Sequence, residues 1–238
     1  MSKSYEELVD ASKSVYTSPR KIDNFINADE LSLCLQIYDE LPVFEPASHS
    51  RATRKDYLMY SETDSRIRDI FLPKLKNLFP GKNIVVDGGN FTNWYQPVGL
   101  HSDGYQFGYK DVDAIVENQQ SLGFAILVPL RTDTGMGTPK TVFFHQTRFG
   151  QECSHAIDPA AMKTGQTIDK FTHKDFDTSV HDDISHIPIE KLYGFSVEQV
   201  IPWSMSSAIV WHRAQFHCAS KFVNYNSKLH LVFFINFE

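Results

Sequence analysis

The chain has 238 residues, 42% hydrophobic and 22% charged, which is long enough to bury one sizeable core or two small ones. Its formal net charge of −6 and lack of any long Lys/Arg block argue against a nucleic-acid partner, since that binding is driven by neutralising phosphates. Cys34, Cys153 and Cys218 form no disulfide framework, the start Met1-Ser2-Lys3-Ser4 is too polar for a signal peptide, and no apolar run approaches the ~18 residues that span a bilayer; a cytoplasmic setting without membrane association is expected.

In chain order, the first 80 residues read as mainly helical. Ser4 can cap a helix over roughly residues 5 to 15, with Glu6 and Glu7 in its first turn. Leu31, Cys34, Leu35, Tyr38 and Leu41 recur at helical spacing after the capping candidates Asn27 and Asp29, and Pro42 ends that helix. Residues 43 to 61 read as irregular, and the basic spots at residues 17 to 21 and 51 to 55 as exposed, solvated loops. A third helix is expected over Glu62 to Phe79, with Pro73 as a potential kink and Pro80-Gly81 as its stop.

From Asn83 onward the pattern changes to short aromatic and β-branched runs between turn residues. These are Ile84–Val86, Phe91–Tyr95, Phe124–Leu130, Thr141–His145, Ala208–Trp211 and Leu229–Asn236, and they suggest a sandwich or barrel. Residues 151 to 195 hold many His, Asp, Thr and Lys residues and read as an insertion or lid. No Gly/Ser/Pro-rich linker divides the chain. The expectation is a single domain over 1–238, mainly β with N-terminal α-helices: residues 1–82 as helical support and 83–238 as a jelly-roll body.

His101 and Asp103 stand two residues apart, so on an extended segment both side chains point to one face, and Gly99 and Gly104 flank them. A later histidine, His217, follows Trp211-His212-Arg213. Two imidazoles and one carboxylate on one face of a metal, with the other positions open, form the ligand set of non-haem Fe(II) oxygenases. His-x-Asp alone is a weak motif in a chain with 10 His and 29 acidic residues.

The order of motifs over residues 83 to 238 is more specific. Asn93-x-Tyr95 precedes His101-x-Asp103, Val128-Pro129-Leu130 and Gly137-x-x-x-Thr141-Val142-Phe143-Phe144 follow, and Ala208-Ile209-Val210-Trp211-His212-Arg213 leads to His217, with Lys228 eleven residues on. This order resembles the Fe(II)/2-oxoglutarate-dependent dioxygenase superfamily, and within it the prolyl 4-hydroxylase-like branch. The resemblance implies a double-stranded β-helix that holds Fe(II) by His101, Asp103 and His217, and it implies that Lys228 holds the far carboxylate of 2-oxoglutarate, with Tyr95 as a second contact. It implies an enzyme that consumes O2 and 2-oxoglutarate, releases succinate and CO2, uses ascorbate as reductant and hydroxylates a protein, prolyl or amino-acid side chain. The same chemistry on a small molecule, as in the phytanoyl-CoA-type branch, and a catalytically silent jelly-roll binding module are the alternatives.

Three points stay open at this level. His212 competes with His217 for the distal ligand position, and spacing to Lys228 favours His217. Arg213 competes with Lys228 as the carboxylate anchor, since a guanidinium suits bidentate binding better. The family often has Ser or Thr two residues after its basic anchor, where this chain has His230. His145, His155, His173, His181 and His186 are expected to decorate a solvated lid and not to form a second metal site.

Overall fold

Alternation along the last strand organises the molecule. In the computed structural model, which describes residues 17–43, 52–56, 65–103, 123–133, 137–147, 176–222 and 227–237, Lys228–Phe237 forms β9. Leu229, Leu231, Phe233 and Ile235 point to one face and join a core with two helices, while Lys228, His230, Val232 and Phe234 line a cavity on the other. Period-2 geometry thus makes one strand both structural wall and site wall.

The first helix, α1 (Ala28–Glu40), starts where the sequence places it. Asn27 Oδ1 accepts from Glu30 N at 2.9 Å and Glu30 Oε2 accepts from Asn27 N at 2.8 Å, a reciprocal capping box. The second, α2 (Arg66–Leu78), runs through Pro73 and buries Ile67, Phe71 and Leu75. Phe71 meets Phe233 of β9 with ring centroids 4.6 Å apart. The helix expected over residues 5 to 15 lies outside the described residues.

The larger sheet has the order β1-β7-β4-β9-β3-β2 and the smaller one β6-β5-β8, all pairs antiparallel. Their ranges are β1 (Arg20–Ile22), β2 (Ala52–Asp56), β3 (Ile84–Trp94), β4 (Phe124–Thr132), β5 (Lys140–Thr147), β6 (Val197–Pro202), β7 (Ala208–His212) and β8 (Gln215–Ala219). The fold is mainly β, and two antiparallel sheets facing each other are consistent with a jelly roll. Pro129 sits within central β4, where its missing N–H would break the ladder. The register against β9 shifts at that point, between Pro129 and Arg131, so the defect falls in a bulge.

The structure revises three expectations. Ile84–Val86 and Phe91–Tyr95 belong to one long strand, β3, with a register shift between Val86 and Gly88. The supposedly irregular stretch before α2 contains β2, and β1 and β2 add strands to both edges of the larger sheet. The N-terminal region therefore contributes sheet as well as helix. Residues 176 to 195 pack as well: Phe176, Ile184, Ile187, Leu192 and Phe195 are buried against Phe144, Phe216 and Cys218 of the smaller sheet. Residues 151 to 175 lie outside the described residues.

Gly123 marks the tightest backbone approach. A Cβ there would land on the carbonyl oxygen of Ile235 in β9, so only glycine lets the chain enter β4 at this point.

Candidate metal centre

Two residues 116 positions apart, His101 and His217, meet through their backbones. His101 and His217 form an isolated antiparallel bridge, with His101 N donating to His217 O at 3.0 Å and His217 N donating to His101 O at 2.9 Å. Two residues on, Asp103 N donates to Arg213 O at 2.9 Å. The loop after β3 is thereby fixed against β8 and the β7–β8 turn before any metal is considered.

The side chains converge. His101 Nε2 lies 3.9 Å from Asp103 Oδ1, and His217 Nε2 lies 3.7 Å from Asp103 Oδ2. One ligand atom from each residue fits within 4.8 Å of the others, the only such group among the described residues. His101 Nδ1 is 2.8 Å from Gly99 O, and His217 Nδ1 is 3.1 Å from Gln215 O. A carbonyl can only accept, so each Nδ1 carries the proton, and each Nε2 lone pair is left for a metal. Asp103 Oδ2 is held by Trp211 Nε1 at 2.8 Å. Burial, and next the neighbouring His101, push the pKa of His217 down to about 4, so its imidazole is neutral and ready to ligate at neutral pH. Phe143 stacks on the His217 ring at 5.8 Å. The donor set fits a divalent first-row ion with open positions on one side.

Beside these groups lies a cavity of about 280 Å³. His101, Asp103 and His217 line it, and so do Lys228 and His230 of β9. Lys228 is 2% exposed. Its Nζ lies 4.4 Å from the Trp203 ring centroid and 5.4 Å from that of Phe222, and no carboxylate among the described residues acts on it. Burial pushes its pKa down to about 7. A buried ammonium with aromatic neighbours and no counter-ion among the described residues fits an incoming carboxylate.

The other sequence candidates lie elsewhere. Tyr95 follows the outer face of β3: its hydroxyl is 3.1 Å from Thr53 Oγ1 and accepts from Asn93 Nδ2 at 3.3 Å, and it does not line the cavity. Alternation is the reason, since Trp94 takes the inward position. Arg213 is buried in the β7–β8 turn, with its guanidinium 5.0 Å from the Phe234 ring centroid, and is also absent from the cavity wall. His212 points to the helical side, edge-on to Phe124 at 5.8 Å, while its Nδ1 accepts from Ala214 N. His181 and His186 contact the carbonyls of Ile187 and Val98.

Sequence reasoning missed Trp211 as the orienting donor to Asp103, and it missed Arg54, Asn90 and Thr92 as cavity residues. Alternation along β3 could have flagged Asn90 and Thr92 once Trp94 was known to face inward. Five residues of β2 give too short a pattern for Arg54.

No protein-family model matches the chain, and no curated protein matches its sequence. Solved structures do match. An oxidoreductase of the 2OG-Fe(II) oxygenase family from Burkholderia pseudomallei is 12% identical with a TM-score of 0.53, over 98% of this chain and 90% of that one. The non-haem alpha-ketoglutarate-dependent epimerase SnoN of nogalamycin biosynthesis is 11% identical with a TM-score of 0.56, over 98% and 82%. HygX from Streptomyces hygroscopicus, solved with nickel, 2-oxoglutarate and hygromycin B, is 10% identical with a TM-score of 0.54, over 93% and 83%. At such identities the likeness concerns the fold: this chain has the fold that these 2-oxoglutarate-dependent proteins use. No helix among the described residues is long and apolar enough to cross a membrane.

Proposed function

We propose that the chain is an Fe(II)- and 2-oxoglutarate-dependent dioxygenase of the double-stranded β-helix type. It hydroxylates an amino-acid side chain, free or within a peptide as in the prolyl 4-hydroxylase-like branch. The observation that carries this reading is a coincidence of two sites in one cavity. Three candidate metal ligands stand at one part of its wall, and a buried lysine without a counter-ion among the described residues stands at another. A metal site alone would serve many reactions. The added cation selects a co-substrate that chelates a metal at one end and carries a carboxylate at the other.

When bound, the iron and 2-oxoglutarate supply an oxidising centre through O2 activation, with succinate and CO2 as co-products. The protein contributes position and environment. His101, Asp103 and His217 would hold the metal, a ligand set that would leave positions for co-substrate and O2. Gly99 O, Gln215 O and Trp211 Nε1 hold those three side chains in their ligating orientation. Lys228 anchors the far carboxylate. Trp203, Trp211, Leu127, Val232 and Phe234 line the cavity with apolar surface and limit water.

The test is succinate formation by Fe(II)-loaded protein with 2-oxoglutarate, O2 and ascorbate, beside a His217→Ala control. Turnover abolished in the control supports the proposal. If the wild type forms no succinate, anaerobic titration of the Fe(II) protein with 2-oxoglutarate decides: absence of a metal-to-ligand charge-transfer band would reject the co-substrate.

A further inference from the structure

The cavity holds a second cation that the co-substrate does not need. Arg54 lies on edge strand β2, where Thr53 and Lys55 turn outward: Thr53 meets Tyr95, and Lys55 donates to the carbonyl of Tyr38. Alternation sends the Arg54 side chain the other way, into the cavity wall. No hydrogen bond or ion pair occupies its guanidinium among the described residues.

Its surroundings form a built site. Register places Arg54 opposite Thr92 on β3, and Thr92 opposite His230 on β9, so the three share one rung across three strands. Lys228 belongs to the adjacent rung, opposite Trp94. Successive same-face positions are about 6.6 Å apart along a strand, so Arg54 and Lys228 are distinct stations. His230 is 7% exposed and its Nδ1 is buried without a partner. Both Lys228 and Arg54 act on its ring as positive neighbours. Thr92 Oγ1 donates to Asn90 Oδ1 at 2.6 Å, which leaves the amide NH2 of Asn90 as a donor beside Arg54.

Charge counting gives the station its purpose. Asp103 cancels one of the two charges of Fe(II), and Lys228 and Arg54 add two. A 2-oxoglutarate dianion removes two of the resulting three. Among the described residues one positive charge remains, and an uncompensated charge in a largely apolar cavity is costly. A substrate carboxylate set against Arg54 neutralises that charge locally, whatever group the rest of the substrate carries; a phosphate monoester at about −1.5 to −2 overshoots.

Resting on the functional reading above, we propose that the primary substrate is a small carboxylic acid, such as a free amino acid, whose carboxylate is gripped by Arg54 with Asn90 and His230 as hydrogen-bonding neighbours. A free acid, and not a residue inside a peptide, is then the substrate class.

The experiment is equilibrium binding without turnover. Anaerobic Fe(II)·2-oxoglutarate protein is titrated by calorimetry with a panel of L-amino acids and short-chain monocarboxylates, each beside its neutral carboxamide. The same panel is run on the protein free of metal and co-substrate. Arg54→Met and Arg54→Lys are compared with wild type, and circular dichroism checks their folding. The expected result is at least one carboxylate that binds tenfold or more tighter than its amide. That preference should vanish in Arg54→Met and return in part in Arg54→Lys, with 2-oxoglutarate affinity within about threefold of wild type. No carboxylate preference in either form of the wild-type protein would overturn the proposal. So would a tenfold loss of 2-oxoglutarate affinity in Arg54→Met with carboxylate preference intact, which would make Arg54 a co-substrate anchor. Failure of 2-oxoglutarate to bind wild type would strike the functional reading. The runs on metal-free protein would then still decide on the Arg54 station.

Discussion

His101 and His217 exchange both of their backbone hydrogen bonds, at 3.0 and 2.9 Å, so the two candidate imidazole ligands are joined as a β-bridge independently of any ion. The backbone on either side of the candidate metal position is thus set by ordinary strand pairing, and a metal would add coordination to side chains already brought together. Binding to such a site does not have to order a loop first.

Metal affinity should therefore follow side-chain chemistry more than folding. Asp103→Ala removes a ligand and should abolish specific Fe(II) or Mn(II) binding in calorimetry while the thermal transition is retained. Trp211→Phe keeps the ring but loses the donor to Asp103 Oδ2. It should weaken metal binding about 10- to 100-fold, the usual cost of losing a partner that orients a ligand.

The proposed role of Lys228 predicts that co-substrate binding depends on pH in a definite direction. Burial brings its pKa down to about 7 in the free protein, and a bound carboxylate raises it. Below pH 7 the ammonium is already charged and affinity is full. Above pH 7, binding must take up a proton, so affinity for 2-oxoglutarate should fall by up to about tenfold per pH unit until the pKa of the complex is passed. Anaerobic titrations at pH 6.5, 7.5 and 8.5 measure this, and a flat profile would contradict it.

The same residue should cost stability in the absence of ligand. Lys228 holds a charge in a site with no counter-ion among the described residues, so Lys228→Met should stabilise the apo protein by about 1–4 kcal/mol. In a chain of this size that raises Tm by roughly 2–4 °C per kcal/mol. Because the folded-state pKa is depressed, the penalty is complete below pH 7 and fades as pH rises toward the ordinary lysine value of 10.5. The gap in Tm between variant and wild type should shrink over that window. The variant should also lose 2-oxoglutarate binding, so stability and function move in opposite directions.

Gly123→Ala tests the close approach of β4 to β9. The added methyl would meet the Ile235 carbonyl, which is backbone and cannot swing aside. A loss of about 2 kcal/mol or more in denaturant unfolding is expected, with the metal site weakened as well because Arg213 N donates to Gly123 O beside the ligand loop.

Local physics made several elements legible. Asn27 and Glu30 cap α1 as their spacing demands, and the aromatic and β-branched runs at Phe124, Thr141, Ala208 and Leu229 all became strands. The short strands β1, β6 and β8 were not legible, since three to six residues carry little period and their pairing partners lie far along the chain. Tyr95 shows how a motif can mislead by one position: a strand reverses its face at every residue, and the inward place belongs to Trp94.

By itself the sequence determined the candidate ligand types and their spacing: a His-x-Asp pair at 101 and 103, a histidine at 217, and a lysine eleven residues beyond it. Those follow from chain-local order. The tertiary structure alone decided which histidine turns inward, that His212, Arg213 and Tyr95 leave the cavity, and that Arg54 enters it. Each of these outcomes depends on which face of a strand meets the opposing sheet, and that is settled by pairing register between segments distant in the chain.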